Sequence, residues 1–196
     1  MQKDARYAAF VSAADDLFME KGIGGTSVGD ITQRVGVTRS LFYHYFGDKQ
    51  GIVDAVIESR IKDFMQYVRD WTRNLDSSDF SVALLKLVGL IRGYLYDPAS
   101  LGSRIIRERD VSLYHRFVVR SSMLISDYFV STREERGALM HYTHVSHPAE
   151  AFYVLSVGIM SMMVRNPEVA DEVIADIIAE TLCIDMSQRP ALDAQA

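Results

Sequence analysis

Apolar residues recur along most of this chain at the three- and four-residue spacing of one face of an α-helix. In the first segment they are Tyr7, Phe10, Val11, Ala14, Leu17 and Phe18. This spacing predicts a helix over residues 4–21, which Gly22 ends because glycine readily adopts the conformation of a helix terminus. No stretch shows the strict alternation of apolar and polar residues typical of a β-strand, so the prediction is an all-helical fold.

Residues 27–49 predict two short helices joined by a tight turn. Ser27 and Asp30 have the spacing of a capping box, in which each side chain accepts the backbone N–H of the other residue. Gly36 is placed to end this helix, and Thr38 to cap the next one. The apolar side of that second helix carries Leu41, Phe42, Tyr45 and Phe46. Its polar side carries Arg39, Ser40, Tyr43 and His44.

A longer amphipathic pattern follows and predicts a helix over residues 48–73, about 39 Å long at 1.5 Å per residue. The polar sequence NLDSSD interrupts it at residues 74–79. Asn166 and Pro167 are interpreted as the N-cap and the first residue of the last helix. Further helices are predicted over residues 80–96, 101–108, 111–135, 149–165 and 167–186, followed by a frayed tail over residues 187–196.

The motifs within residues 10–49 form an ordered set. They are Phe18-x-Glu20-x-Gly22, Thr26-Ser27-Val28, Ile31, Gly36-Val37-Thr38 and Tyr43-x-Tyr45-Phe46-x-Asp48-Lys49. Through them the segment resembles the DNA-binding domain of the TetR family of bacterial transcriptional regulators. The resemblance covers about the first quarter of the chain, and Thr32 and Val35 replace alanines that are usual in the family. It implies a three-helix helix-turn-helix domain over residues 1–48 and a larger helical effector-binding and dimerisation domain over residues 49–186.

Composition and charge narrow the function further. The single cysteine, Cys183, excludes an intrachain disulfide, and the longest uncharged apolar run, residues 151–164, is shorter than the about 20 residues that a membrane span needs. We therefore expect a cytoplasmic protein without membrane contact. The net charge is −5, so any positive field must be local. The first fifty residues contain equal numbers of basic and acidic side chains. The basic ones are Lys3, Arg6, Lys21, Arg34, Arg39 and Lys49.

The polar side of the second short helix is the candidate DNA reader. Arginine bonded to guanine is the commonest specific contact in the major groove, so Arg39 and Ser40 are predicted to reach base edges. Residues at helix N-termini and lysines suit phosphates, which position a protein without selecting sequence. The predicted phosphate contacts are Ser27, Thr38 and Lys49. Tyr43 and His44 are predicted to contact phosphate or a thymine methyl group.

Two further sets of residues are candidates for effector binding and for dimer formation. The resemblance implies an effector site among the helices after the reader, where polar groups amid apolar ones can orient a small molecule. The candidate effector-binding residues are Tyr94, Arg104, Tyr114, His115 and Tyr128. The last two helices carry wide apolar stripes that a two-fold four-helix interface would bury. The candidate interface residues are Phe152, Leu155, Ile159, Met162, Val173 and Ile177.

His141, His144 and His147 recur at every third position and could bind zinc or nickel, but a solvated connection between helices or a dimer seam is the favoured interpretation. No enzyme motif such as HExxH, GxSxG or a Walker loop is present, so we predict neither a catalytic residue nor a cofactor. The leading interpretation is a TetR-like repressor that binds a palindromic DNA operator as a homodimer and is released by an unidentified small-molecule effector. The alternative is a helical carrier or metalloenzyme that has lost DNA recognition.

Overall fold

The structure, a computed structural model, describes residues 2–73, 80–131 and 145–184, and every regular element in these ranges is an α-helix. The all-helical prediction is therefore confirmed. The first helices are α1 (Gln2–Lys21), α2 (Val28–Val35), α3 (Arg39–Phe46) and α4 (Lys49–Arg73). The others are α5 (Phe80–Tyr96), α6 (Leu101–Glu108), α7 (Val111–Ser131), α8 (Pro148–Arg165) and α9 (Asp171–Thr181). None of these described helices is both long enough and apolar enough to cross a membrane.

Three predictions of where helices end or break fall on residues outside those ranges. They are the interruption at residues 74–79, the extension of α7 to residue 135, and the tail at residues 187–196.

The ends of α2 and α3 have the predicted caps. Ser27 Oγ accepts the Asp30 amide N–H at 3.2 Å, and the Asp30 carboxylate accepts the Ser27 N–H at 2.7 Å. Gly36 ends α2 in the left-handed conformation with φ of 75°, and Thr38 Oγ1 accepts the Leu41 N–H at 3.4 Å. Both ends of the connection between α2 and α3 are thus capped by residues close by in the sequence.

Aromatic side chains hold α3 against α1. Phe10 and Phe42 are completely buried, and their ring centroids lie 5.8 Å apart in an edge-to-face arrangement. Phe46 lies edge-on to Phe10 at 5.5 Å. Such pairs add about 0.5–1.5 kcal/mol each to the free energy gained from burial, so one side of α3 is firmly anchored.

The described residues form two compact units. The first draws on Met1–Asp63 and Tyr94–Ser121, and the second on Phe64–Gly93 and Ser122–Ala196. The predicted domain boundary at residue 48 lies within the first unit, because that unit also includes the first part of α4, all of α6 and the first part of α7. Ion pairs join these helices inside the first unit: Arg116 contacts Asp54 at 2.8 Å, and Arg120 contacts Glu58 at 2.7 Å.

The predicted start of the last helix is wrong. Asn166 is the C-cap of α8, with its N–H bonded to Met162 O at 2.8 Å, and α9 begins only at Asp171. The late start of α9 results from contacts with a residue distant in the sequence. Arg92 of α5 donates hydrogen bonds to the carbonyl oxygens of Pro167 at 2.7 Å and Val169 at 2.6 Å, and it pairs with Asp171 at 2.5 Å. The Arg92 guanidinium thus binds the carbonyl groups of the turn at residues 167–169. These residues therefore do not form the first turn of a helix capped by Asn166.

Candidate nucleic-acid interface

Helix α3 has one buried side and one exposed polar side. Phe42 is fully buried, whereas Tyr43 is 50% exposed and the side chains of Arg39, Ser40 and His44 also face solvent. A short anchored helix of this kind can enter the major groove and present hydrogen-bonding groups to base edges. The structure therefore brings the four predicted reading residues together on one accessible surface.

A cleft lies beside this surface, and we call it the phosphate cleft. It is lined by residues 24–29 of the loop before α2 and its first turn, together with Arg39, Tyr43 and Lys49. The Arg39 guanidinium lies against α2, since a Cβ atom added to Gly29 would be only 2.7 Å from Arg39 Nη2. Two cations beside the N-terminus of a helix form an environment that favours an anion such as a DNA phosphate.

Some of the cations around α2 pair with carboxylates and others do not. Arg34 donates two hydrogen bonds to Glu20, at 3.1 and 2.8 Å, and these lower the pKa of the Glu20 carboxyl. Lys21 pairs with Asp30 at 2.8 Å and is the main cause of the lowered pKa of Asp30. Within the described part of the chain, no carboxylate forms an ion pair with Arg39 or Lys49. The net positive field is thus concentrated in the phosphate cleft, although the chain as a whole is acidic.

Ser27 and Thr38 both serve as helix caps. The Ser27 hydroxyl accepts the Asp30 N–H and donates to the Asp30 carboxylate at 2.7 Å, so its hydrogen-bonding capacity is largely used within the chain. Thr38 accepts one helix N–H in the same way. Their placement at the N-termini of α2 and α3 is as predicted, while direct contact of either hydroxyl with phosphate remains a prediction.

Helix α6 supports the loop between α1 and α2 from within the first unit. The Glu108 carboxylate accepts the N–H groups of Ile23 at 2.5 Å and Gly24 at 3.1 Å. Arg104, one turn earlier, donates to the carbonyl oxygen of Met19 near the end of α1. Thr26, which is buried, donates to Gly22 O at 2.7 Å. Together these contacts satisfy backbone groups that the end of α1 leaves unpaired.

The sequence interpretation missed Glu108 and assigned Arg104 to effector binding. Their only signal in the sequence is the four-residue spacing of opposite charges on a short helix, which ordinarily indicates a solvent-exposed pair.

Comparison with known proteins decides the family of this segment. Residues 10–56 match the sequence profile of the bacterial regulatory proteins, tetR family. They form a TetR-family DNA-binding domain. The HTH-type transcriptional regulator BetI of Burkholderia mallei is 28% identical over 86 residues, which are 44% of this chain and 43% of BetI. The chain thus spans less than half the length of the curated relatives that it matches.

Solved structures share the fold well beyond this segment. RolR in complex with resorcinol superposes with a TM-score of 0.68 and 16% identity, over 96% of each chain. The repressor QsdR of R. erythropolis, from the TetR family, gives a TM-score of 0.66 and 14% identity, over 92% of this chain and 96% of QsdR. The TetR architecture of an N-terminal helix-turn-helix domain and a larger helical domain is therefore confirmed for this chain, while the low identities limit the likeness to the fold.

The five candidate effector-binding residues divide between the two units, with Tyr128 alone in the second. Tyr94 belongs to the first unit, where it stacks on Phe117 at 5.6 Å and where burial raises its pKa. Tyr128 is buried in the second unit, with the guanidinium carbon of Arg69 5.2 Å from its ring centre. Tyr114 is partly buried, His115 is exposed, and Arg104 supports α1. None of the five lines the cavity of the second unit.

That cavity is apolar and is built by α4, α5, α7, α8 and α9. Its free volume is about 80 Å³. Its lining residues are Phe64, Met65, Val68, Leu84, Leu87, Ile91, Ile125, Phe129, Phe152, Leu155, Ser156, Ile159, Met160, Ile178, Leu182 and Ile184. Ligand sites in proteins are typically concave and mostly apolar with few polar groups, so this cavity is the candidate effector site.

The candidate dimer-interface residues separate into two groups. Phe152, Leu155 and Ile159 are buried and line the cavity, so the structure places them inside the second unit and not on a surface that a second copy could cover. Met162 and Ile177 are partly buried, and Val173 is 47% exposed. Val154 of α8, which the sequence interpretation did not select, is 66% exposed. Val154 is exposed although its neighbour Leu155 is buried, because successive residues of a helix point to different sides of it.

Of the three histidines considered for metal binding, only His147 lies in the described ranges. It is exposed and immediately precedes α8, whereas His141 and His144 fall outside those ranges. Across residues 2–73, 80–131 and 145–184, no cluster of three histidine, cysteine, aspartate or glutamate residues could hold a metal ion.

Proposed function

We propose that this protein is a transcriptional regulator that binds a palindromic DNA operator as a homodimer and is released by a small-molecule effector. The observation that carries the proposal is the exposed polar side of α3 next to the phosphate cleft, where Arg39 and Lys49 are free of carboxylate partners in the described structure. An anchored helix with adjacent unpaired cations is suited to backbone contacts that position it and base contacts that select sequence.

The dimer sets the spacing of the two readers. In a two-fold symmetric pair, each α3 would enter the major groove of one half-site, and the half-sites would lie about one helical turn apart, or 34–36 Å. Operator palindromy then follows from the protein's symmetry. The small number of unpaired cations leads to weak binding of unrelated DNA, because each neutralised phosphate contributes to affinity through counterion release.

The cavity in the second unit is the proposed effector site. RolR, which shares this fold, has been solved with bound resorcinol, and this favours a small-molecule effector here as well. Helix α4 begins with Lys49 at the phosphate cleft and carries Phe64, Met65 and Val68 of the cavity wall. An effector that binds better to the DNA-free state would therefore shift α4 and the reader together, with a coupling of about 1–3 kcal/mol.

Titration of the protein with labelled duplexes tests the proposal. We expect the DNA upstream of its own gene to bind more tightly than a random duplex, with an affinity that falls steeply as salt concentration rises. Arg39→Ala should weaken the specific complex by about 1–3 kcal/mol. Lys62→Ala is the matched control, since Lys62 is an exposed cation of α4 away from the phosphate cleft and pairs with Glu58 at 3.2 Å. If the Arg39→Ala protein and the unmodified protein bound the specific DNA with equal affinity, the assignment of the polar side of α3 as the DNA-reading surface would be wrong.

The same titration separates the proposal from a helical carrier that has lost DNA recognition. The carrier would show neither the steep salt dependence nor the preference for one sequence, even if it bound a small molecule in the cavity.

A further inference from the structure

The chemistry of the cavity wall restricts what can bind there. All of its lining side chains among the described residues are apolar except Ser156, and none of them can carry a charge. The two arginines of neighbouring helix segments have other partners: Arg69 lies over the ring of Tyr128, and Arg92 is bonded to Asp171 and to the turn before α9. No cation in the described structure is therefore placed to neutralise an anion inside the cavity.

We infer that the effector is a neutral, predominantly hydrocarbon molecule with at most one hydrogen-bonding group, which Ser156 would contact. This inference rests on the proposed function, since it names the chemical class of the effector of that same site. A carboxylate or an ammonium group would lose its hydration on entering the cavity and find no opposite charge, which is strongly unfavourable. A hydrocarbon loses nothing by the same transfer and gains from leaving water.

Ser156 defines the one polar position of the site. It lies on α8 between Leu155 and Ile159, which are buried cavity residues. A hydroxyl group can both donate and accept a hydrogen bond, so Ser156 suits an alcohol, a phenol or a ketone equally well. One such contact contributes modestly, and most of the affinity must come from apolar burial.

The small size of the cavity favours a small or flexible ligand. Its free volume is only about 80 Å³. Met65 and Met160 belong to the wall, and methionine side chains readily adapt to the shape of a ligand. A flexible alkyl chain can follow such a space, whereas a bulky polycyclic molecule would require the helices to separate.

The test uses ligands that share one alkyl chain and differ only in charge. Calorimetric titration of the DNA-free full-length protein at pH 7.5 with 1-octanol, octanoate and octylammonium compares a neutral, an anionic and a cationic form. We expect 1-octanol to bind, and the two ions to bind at least about a hundredfold more weakly. Ser156→Ala should weaken 1-octanol binding by about threefold to tenfold. Ser161→Ala, which removes an exposed serine from the same helix, should leave it unchanged.

Two results would overturn the inference: octanoate or octylammonium binding as tightly as 1-octanol, or no binding of 1-octanol up to its solubility limit. Either outcome is independent of the proposed function, because the titration contains no DNA. A protein that binds 1-octanol and no operator would refute the proposed function alone. A protein that binds an operator and leaves it only when a charged compound is added would refute the effector class alone.

Discussion

A single carboxylate, that of Asp30, fixes the start of α2. Its Oδ2 atom accepts hydrogen bonds from the Ser27 N–H and hydroxyl, both at 2.7 Å, and pairs with Lys21 Nζ at 2.8 Å. These contacts, first the one from Lys21 and then those from Ser27, lower the pKa of Asp30 below its ordinary value of 3.8. The ionised form is therefore more stable in the folded chain than in the unfolded chain.

This pKa shift predicts how Asp30→Asn depends on pH. Because the folded pKa is depressed, the charge of Asp30 contributes stability above about pH 4, and this contribution is lost as pH falls through the lower folded pKa. The melting temperature of Asp30→Asn should thus lie below that of the unmodified protein by a similar amount at pH 7 and pH 5, and by less at pH 3. Thermal unfolding followed by circular dichroism measures it, and a difference that grows toward pH 3 would disprove the assigned role.

Glu108 supports the loop before α2 through its side-chain carboxylate. Its carboxylate accepts two loop N–H groups, and a Cβ added to Gly22 would lie only 2.8 Å from Glu108 Oε1. Hydrogen bonds to charged groups contribute about 1.5–3 kcal/mol, so Glu108→Ala should lower the free energy of unfolding by about 1–3 kcal/mol.

Urea denaturation tests this prediction with two further variants. Glu108→Gln keeps one acceptor oxygen and should lose less stability than Glu108→Ala. Glu168→Ala removes an exposed acid from the turn between α8 and α9 and should stay within about 0.5 kcal/mol of the unmodified protein. Equal midpoints for Glu108→Ala and Glu168→Ala would show that the loop does not need its carboxylate.

Among the helices, the junction of α3 and α4 leaves no space for a side chain at Gly51. An added Cβ would overlap the carbonyl oxygen of Phe46, a backbone atom that cannot rotate away. Asp48 Oδ1 accepts the Gly51 N–H at 2.9 Å, which fixes the first turn of α4 at the same point. The position of the reading helix relative to α4 therefore depends on the absence of a side chain at residue 51.

Alanine substitutions at two helical glycines should consequently have opposite effects. Gly51→Ala should destabilise the fold by about 1–3 kcal/mol and weaken DNA binding, because α3 and α4 must separate. Gly89→Ala should stabilise it by about 0.5–1 kcal/mol, since an added Cβ meets nothing within 4 Å there and alanine favours the helix. Denaturation midpoints measure both changes. A Gly51→Ala protein as stable as the unmodified one would contradict the junction described above.

Helix ends set by neighbouring residues could be predicted from the sequence, and those set by distant residues could not. The caps at Ser27, Gly36 and Thr38 are local, and each lies where the sequence predicts it. The start of α9 depends on Arg92, about eighty residues earlier in the chain, which replaces the cap expected from Asn166. Local propensity is a weak guide where a guanidinium from another helix binds the same carbonyl groups.

The same distinction applies to the candidate sites. The reading surface and the phosphate cleft are formed by residues close together in the sequence, and the residues predicted for them lie together in the structure. The cavity gathers residues from five helices, so no short motif indicates it. Selecting polar residues within apolar helices led to Tyr94 and Arg104, whereas the wall of the cavity is almost wholly apolar.

For the protein as a whole, the proposed dimer should involve the exposed part of α8 and α9. Val154 is 66% exposed and Val173 47% exposed, and both are apolar. Val154→Glu should therefore raise the dimer dissociation constant at least about tenfold, because the new charge would be buried without a partner. Val111→Glu, at an 81% exposed valine at the start of α7, should have no effect. Analytical ultracentrifugation distinguishes the outcomes, and a dimer unaffected by Val154→Glu would place the interface elsewhere.

Selection of bound sequences from a random pool of DNA duplexes tests whether this protein is a sequence-specific regulator. The account predicts enrichment of a palindrome whose half-sites lie about one helical turn apart, and its loss when Arg39→Ala replaces the unmodified protein. Recovery of a pool with no enriched sequence, at a salt concentration where the protein remains folded, would contradict it.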